Sequence, residues 1–203
     1  MIRIKKITEE KEVKIIIDPY ISLWLYFGEN INFTKTFKIS DYKKNILIIK
    51  NNIYTNEIYE ICLISSNKAI FFNEISYNSI NVRKSIGLPE VYDKKNKSKY
   101  GDGIYNNFKI LYTRDTIKIE FTNIVNNYSK ILKKIIKNKD VFFETNKNGV
   151  ILSITLTNLS NKVIENMLRV LEAEVPLEFF KKNYTEQENE YILLNDPLKK
   201  QRP

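Results

Sequence analysis

The chain contains no histidine in 203 residues and a single cysteine, Cys62. Histidine is the usual general base near neutral pH and the commonest ligand of zinc, copper and iron, so these residues cannot assemble a histidine-based triad or an ordinary transition-metal site. A lone cysteine closes no intramolecular disulfide. Cys62 lies in the apolar run Tyr59-Glu60-Ile61-Cys62-Leu63-Ile64, which suits a small buried hydrophobe better than a reactive thiol, and a reducing compartment fits. Glycine and proline are also scarce, with five of each. Neither G-x-x-x-x-G-K-[ST] nor G-x-G-x-x-G occurs, and the close pair in Gly101-Asp102-Gly103 reads as a turn. No stretch approaches the roughly 18 apolar residues of a membrane helix, and Met1-Ile2-Arg3-Ile4-Lys5-Lys6 does not lead into an apolar signal core. The expectation is a cytoplasmic protein with no membrane contact, no cofactor, no metal and no small-molecule substrate.

What is present describes a folded object. Thirteen Tyr and eleven Phe, within 43% hydrophobic and 28% charged residues, supply enough apolar area for one sizeable core. The formal net charge is +9, which ordinarily points to nucleic acid, an anionic surface or an acidic protein partner. Yet 28 Lys against 5 Arg, among abundant Ile, Asn, Tyr and Phe, is also what AT-rich coding produces. Arginine, the better residue for bidentate phosphate or guanine recognition, is the scarce one.

Alternating apolar residues and turn formers predict strands over Ile2 to Ile7, Val13 to Ile17, Ile21 to Phe27 and Asn45 to Lys50. From residue 57 the pattern suggests two strands followed by one helix, three times over. The first unit runs Glu57 to Ser65, a turn at Ser66-Asn67-Lys68, Ala69 to Asn73, then a helix around Ser79 to Ile86 stopped by Gly87 and Pro89. The second has Phe108 to Tyr112, Thr116 to Phe121 and a helix over Asn127 to Lys137. In the third, Val141 to Thr145 and Val150 to Leu156 flank Asn146-Lys147-Asn148-Gly149, followed by a helix from Ser160 to Glu174 ended by Pro176. This alternation implies an α+β fold, a mainly antiparallel sheet with about three helices. Residues 1 to 180 read as one domain with a sub-boundary near 50 to 56, and residues 181 to 203 as a polar, partly mobile extension.

Candidate contact residues follow from this reading. In the second predicted helix Tyr128, Ile131, Leu132, Ile135 and Ile136 share one face and Lys130, Lys133, Lys134 and Lys137 the other, a basic face for an anionic partner. Lys94, Lys95, Lys97 and Lys99 fall on one loop, either solvated or a docking site. Trp24 and Tyr26 point away from Leu23, Leu25 and Phe27, as a second packing layer or a recognition surface. Glu144 and Glu120 are the best candidates for buried acids, although an exposed alternate strand face accounts for both. No catalytic set is recognisable, and no RNA-binding signature is met.

The segment Ile80-Asn81-Val82-Arg83-Lys84-Ser85-Ile86-Gly87-Leu88-Pro89-Glu90-Val91, a variable loop, then Phe108 to Tyr112 and Ile117 to Phe121 resembles a pattern of small bacterial proteins in which a helix ending in hGxPp precedes a loop and a β-hairpin. It is similar to immunity-type proteins of bacterial polymorphic toxin systems and, more distantly, to the repeat of the BLIP and outer-membrane-assembly lipoprotein class. The resemblance covers residues 80 to 124. It implies a non-catalytic protein that neutralises a cognate toxin by direct protein contact. Two other functions suit the same chain: a phage or mobile-element inhibitor of a host nuclease, of the anti-CRISPR kind, and a nucleic-acid binder using the basic helix.

Overall fold

A computed structural model describes residues 2–29, 32–40, 45–66, 69–75, 82–93, 107–122 and 132–173. Strands dominate these residues: β1 (Ile2–Ile7), β2 (Val13–Asp18), β3 (Ile21–Phe27), β4 (Thr34–Ser40), β5 (Ile46–Asn52), β6 (Ile58–Ser65), β7 (Ala69–Phe71), β8 (Arg83–Ile86), β9 (Pro89–Asp93), β10 (Phe108–Tyr112), β11 (Ile117–Phe121), β12 (Leu132–Asn138), β13 (Val141–Asn146) and β14 (Ile151–Leu156). A single helix, α1 (Asn161–Val170), follows them. One sheet has the order β2-β3-β6-β5-β4, a second β7-β10-β11-β14-β13-β12-β8, and β1 pairs with β9 alone.

The five-stranded sheet is antiparallel throughout, and its register stacks apolar residues on one face. Leu25 pairs with Ile61, Ile61 with Ile49 and Ile49 with Phe37, all four buried. The seven-stranded sheet repeats the pattern through Ile136, Phe143, Ile154, Ile119 and Ile110. Side chains alternate between faces at period 2, so these residues form continuous inner faces. The two faces meet where the Phe27 ring lies 6.2 Å from that of Phe143. Helix α1 packs on β2 and β3 through buried Ile164, Met167 and Leu168. Its start is set by Ser160, extended in backbone, whose hydroxyl accepts from the Val163 amide. It ends well before Pro176, where Glu172 takes a left-handed φ of 53°.

The α+β expectation with three helices is therefore corrected to a nearly all-β fold with one helix among the described residues. Within the described residues, the helix expected over Asn127 to Lys137 is replaced by β12, which turns through Lys139 and Asp140 into β13. The doublet Ile135-Ile136 that suits a helix face also suits a strand with an apolar residue buried on each side. Ile135 and Ile136 point to opposite faces and both are buried, and their β-branched side chains favour the pleat. The helix around Ser79 to Ile86 is likewise replaced, within the described residues, by β8 lying parallel to β12. The first predicted hairpin also fails, because β6 joins the five-stranded sheet while β7 pairs in parallel with β10 in the other. The hairpins β10–β11 and β13–β14 and the terminal helix stand.

Gly87 is not a helix stop but a tight passage between β8 and β9. Its φ is +129°, and a Cβ there would lie 1.9 Å from the Thr8 carbonyl oxygen. Its own N–H donates to the Lys137 carbonyl at 2.8 Å, while Thr8 N–H donates to Leu88 O at 2.9 Å. One residue thus ties β12 to the β1–β9 pair. Gly87→Ala is expected to destabilise the fold by at least about 1–3 kcal/mol through backbone strain alone, read as a lowered urea midpoint. An unchanged midpoint would refute this placement of Gly87.

Candidate partner-binding surfaces

The outer face of the five-stranded sheet carries Trp24 and Tyr26. Strand register sets Trp24 between Ile16 and Cys62, and Tyr26 between Lys14 and Glu60. Both are half-buried, as expected for an alternate strand face, and their rings lie 4.9 Å apart. The Tyr59 ring is 5.9 Å from Tyr26. The Trp24 indole N–H has no hydrogen-bond acceptor among the described residues. Burial, with the Glu60 charge beside it, pushes the Tyr26 phenol up to about 12. Cys62 is buried in this layer, and desolvation followed by Glu60 raises its thiol to about 11, so it serves as a small hydrophobe and not as a thiolate nucleophile.

The basic face predicted from the sequence does not assemble as a helix surface. Lys130 and the loop lysines Lys94, Lys95, Lys97 and Lys99 lie outside the described residues. Lys133, Lys134 and Lys137 fall in strand β12. An odd spacing separates Lys134 from Lys137, which places them on opposite faces of the sheet. Lys137 lies over the Phe142 ring at 5.7 Å, while Lys134 is paired in register with Arg83 of β8. Burial, reinforced by the Arg83 charge, lowers the Lys134 pKa.

Most acids in the sheets are held by lysines. Glu144, expected on an exposed face, is buried, with its carboxylate 2.7 Å from Lys118 Nζ and accepting from the Ser153 hydroxyl. Lys50 holds Glu60 at 2.9 Å, and Lys109 holds the half-exposed Glu120 at 3.5 Å. Within each of these pairs the two charges neutralise one another. A cleft of about 470 Å³ between the β2–β3 turn and α1 is lined by Asp18, Asn166, Arg169 and Glu172 among others.

A further surface was not anticipated from the sequence. Phe33, Ile53 and Tyr54 are 58%, 45% and 73% exposed, at the start of β4 and in the β5–β6 turn. The Phe33 and Tyr54 rings meet edge to face at 6.1 Å, and Ile53 N–H donates to the Phe33 carbonyl. The turn beneath is braced. Asn52 Oδ1 accepts from the amides of Tyr54 and Thr55, Asn56 takes a φ of 61° and accepts from Val91 N–H, and Glu57 receives Lys11 Nζ at 2.7 Å. Burial works to raise the Glu57 pKa, but hydrogen bonds from Lys11, Thr8 and Thr55 and the Lys11 charge outweigh it and lower the carboxyl below its usual range. The only local sequence sign is Asn52-Ile53-Tyr54-Thr55-Asn56, an Asx-turn former. Phe33, about twenty residues away, is joined to it only by strand pairing.

Two outcomes follow. Lys118→Met is expected to cost about 3–5 kcal/mol by leaving a buried carboxylate without its cation, and Lys118→Met with Glu144→Leu to recover most of that loss in chemical denaturation. The Glu57 carboxyl is more acidic in the folded chain than in the unfolded one. It therefore stabilises fully above the ordinary carboxylate pKa, and this contribution disappears as pH falls through the lowered value. Glu57→Gln should flatten the acid limb of a stability against pH curve; an unaltered limb would remove Glu57 as the brace.

No protein-family model matches the chain, and no curated protein matches it.

Proposed function

We propose that the chain is a non-catalytic protein that acts by direct contact with a protein partner. The observation that carries this reading is the tip of Phe33, Ile53 and Tyr54, three large apolar side chains exposed together on a hydrogen-bonded turn. Grouped aromatics on preorganised backbone are the usual anchors of protein interfaces, because little ordering entropy remains to be lost on docking. Two lysines near the turn are neutralised, Lys11 by Glu57 and Lys50 by Glu60, and Lys35 lies over the Phe37 ring, which together favour an apolar pocket over a phosphate backbone. The half-buried Trp24 and Tyr26 offer a second aromatic surface of the same character.

The narrower role, neutralisation of a cognate toxin by an immunity-type inhibitor, rests on the resemblance over residues 80 to 124. The hairpin β10–β11 is in keeping with that pattern. The strand at Arg83–Ile86 departs from it, since the pattern has a helix there. The absence of histidine and the lysine pairing of Glu144, Glu60 and Glu120 favour inhibition by contact over catalysis.

The test is purification of the chain with its partner from native cells under nuclease treatment, in parallel with the Phe33→Ala and Tyr54→Ala double variant. A stoichiometric protein partner should survive the nucleases, and the variant should weaken it at least tenfold, about 1.4 kcal/mol, with thermal stability unchanged because both side chains are exposed. Loss of all partners on nuclease treatment would overturn the reading in favour of nucleic acid.

A further inference from the structure

Strand β8 ends the seven-stranded sheet. It pairs with β12 in parallel, and no strand among the described residues occupies its other side. An open edge presents unpaired backbone N–H and C=O groups and is a template for another strand. The side chains along this one are specific in kind. Arg83, Lys84 and Ile86 are exposed, Ile86 by 70%. One strand inward, Lys134 pairs in register with Arg83, and Lys137 with Ile86.

None of the four cations makes an ion pair among the described residues, whereas Lys6, Lys11, Lys50, Lys109, Lys118 and Lys139 each hold a carboxylate. The nearest acid in register, Glu144 beside Ile135, is taken by Lys118. Like charges set opposite each other on neighbouring strands destabilise the sheet. The lowered Lys134 pKa, from burial first and Arg83 second, is in keeping with that repulsion. An anionic neighbour would relieve it.

On the protein-binding reading above, we propose that the β8 edge takes an acidic extended segment of the partner, which adds as a further strand with carboxylates beside Arg83 and Lys84 and an apolar side chain beside Ile86. Two features favour a polypeptide over nucleic acid. The open backbone edge gives a ladder that only another peptide backbone completes, and Ile86 offers apolar contact among the charges, which a phosphate chain cannot use.

The probe is a short synthetic peptide repeating Glu-Glu-Ser-Val, blocked at its termini and titrated against the full chain; successive glutamates are needed because Arg83 and Lys84 point to opposite faces, and the valine falls beside Ile86. Two controls accompany it: the same peptide N-methylated at alternate amides, and an oligothymidylate of similar charge. The wild-type chain should bind the plain peptide. Arg83→Glu with Lys84→Glu should weaken it at least tenfold, as should N-methylation, while Lys14→Glu on the other sheet leaves it unchanged. The neutral pair Arg83→Gln and Lys84→Gln, with a native circular dichroism spectrum, should show an intermediate loss and guards against a folding defect in the charge reversal. Equal binding of the methylated peptide, indifference to the β8 substitutions, or displacement of the peptide by oligothymidylate at equal concentration would overturn the proposal. The two readings fail separately. If the native partner is lost with Phe33→Ala and Tyr54→Ala but held at full affinity by the β8 variants, protein binding stands and the β8 edge does not.

Discussion

Each large sheet spends one face on a shared apolar interior, and the contact of Phe27 with Phe143 marks where those faces close. Everything available for recognition is dictated by that commitment. Once Leu23, Leu25 and Phe27 face inward, a period of two residues leaves Trp24 and Tyr26 no direction but outward. Once Phe143 and Ile154 face inward, Glu144 and Ser153 must share the opposite face with Lys118. The charged network there is a consequence of sheet geometry, and its members satisfy one another. Turns and edges escape this constraint, and they hold the exposed apolar tip and, at β8, Arg83 and Lys84, which pair with no carboxylate among the described residues.

Charge behaves in the same way. A net charge of +9 suggests a uniformly basic object, but many lysines on the sheets are consumed in pairs with glutamate. Such pairs contribute little net stability where exposed, and where buried they make the partner's removal costly. Their effect on recognition is larger than on stability, because they leave positive charge concentrated where no carboxylate among the described residues pairs with it, as at Arg83, Lys84, Lys134 and Lys137.

Strands with clean alternation, such as Ile21 to Phe27 and Ile117 to Phe121, were legible because one face is apolar and the turns beside them carry Gly, Pro, Asn or Asp. The terminal helix was legible for the matching reason, a stripe through Ile164, Met167 and Leu168 after a capping Ser160. Residues 132 to 138 misled because the doublet Ile135-Ile136, buried on opposite faces of the strand, breaks the alternation and mimics a helix stripe. Gly87 and Pro89 misled because a passage forced by the Thr8 carbonyl looks, in one dimension, like a helix terminus. Of the candidate contacts, Trp24 and Tyr26 could be read from alternation. Phe33 with Tyr54, and Arg83 with Lys134, become neighbours only through non-local pairing, which a single sequence does not display.

The lysines of an edge strand have a second common use, which is to repel unwanted pairing, and the two uses differ in geometry. Protection needs one charge per strand pointing across the edge. Strand β4 is the simpler case: it ends its sheet with Lys35 and Lys38 exposed, and Lys35 lies 5.2 Å from the Phe37 ring of the same strand. Strand β8 departs from it twice. Its cations are backed by a second row on β12, where Lys134 and Arg83 repel each other, and the exposed Ile86 adds an apolar surface that protection alone would leave out. Repulsion concentrated beside an apolar contact disfavours neutral and basic strands while leaving an acidic one favoured, which is selectivity and not simple exclusion.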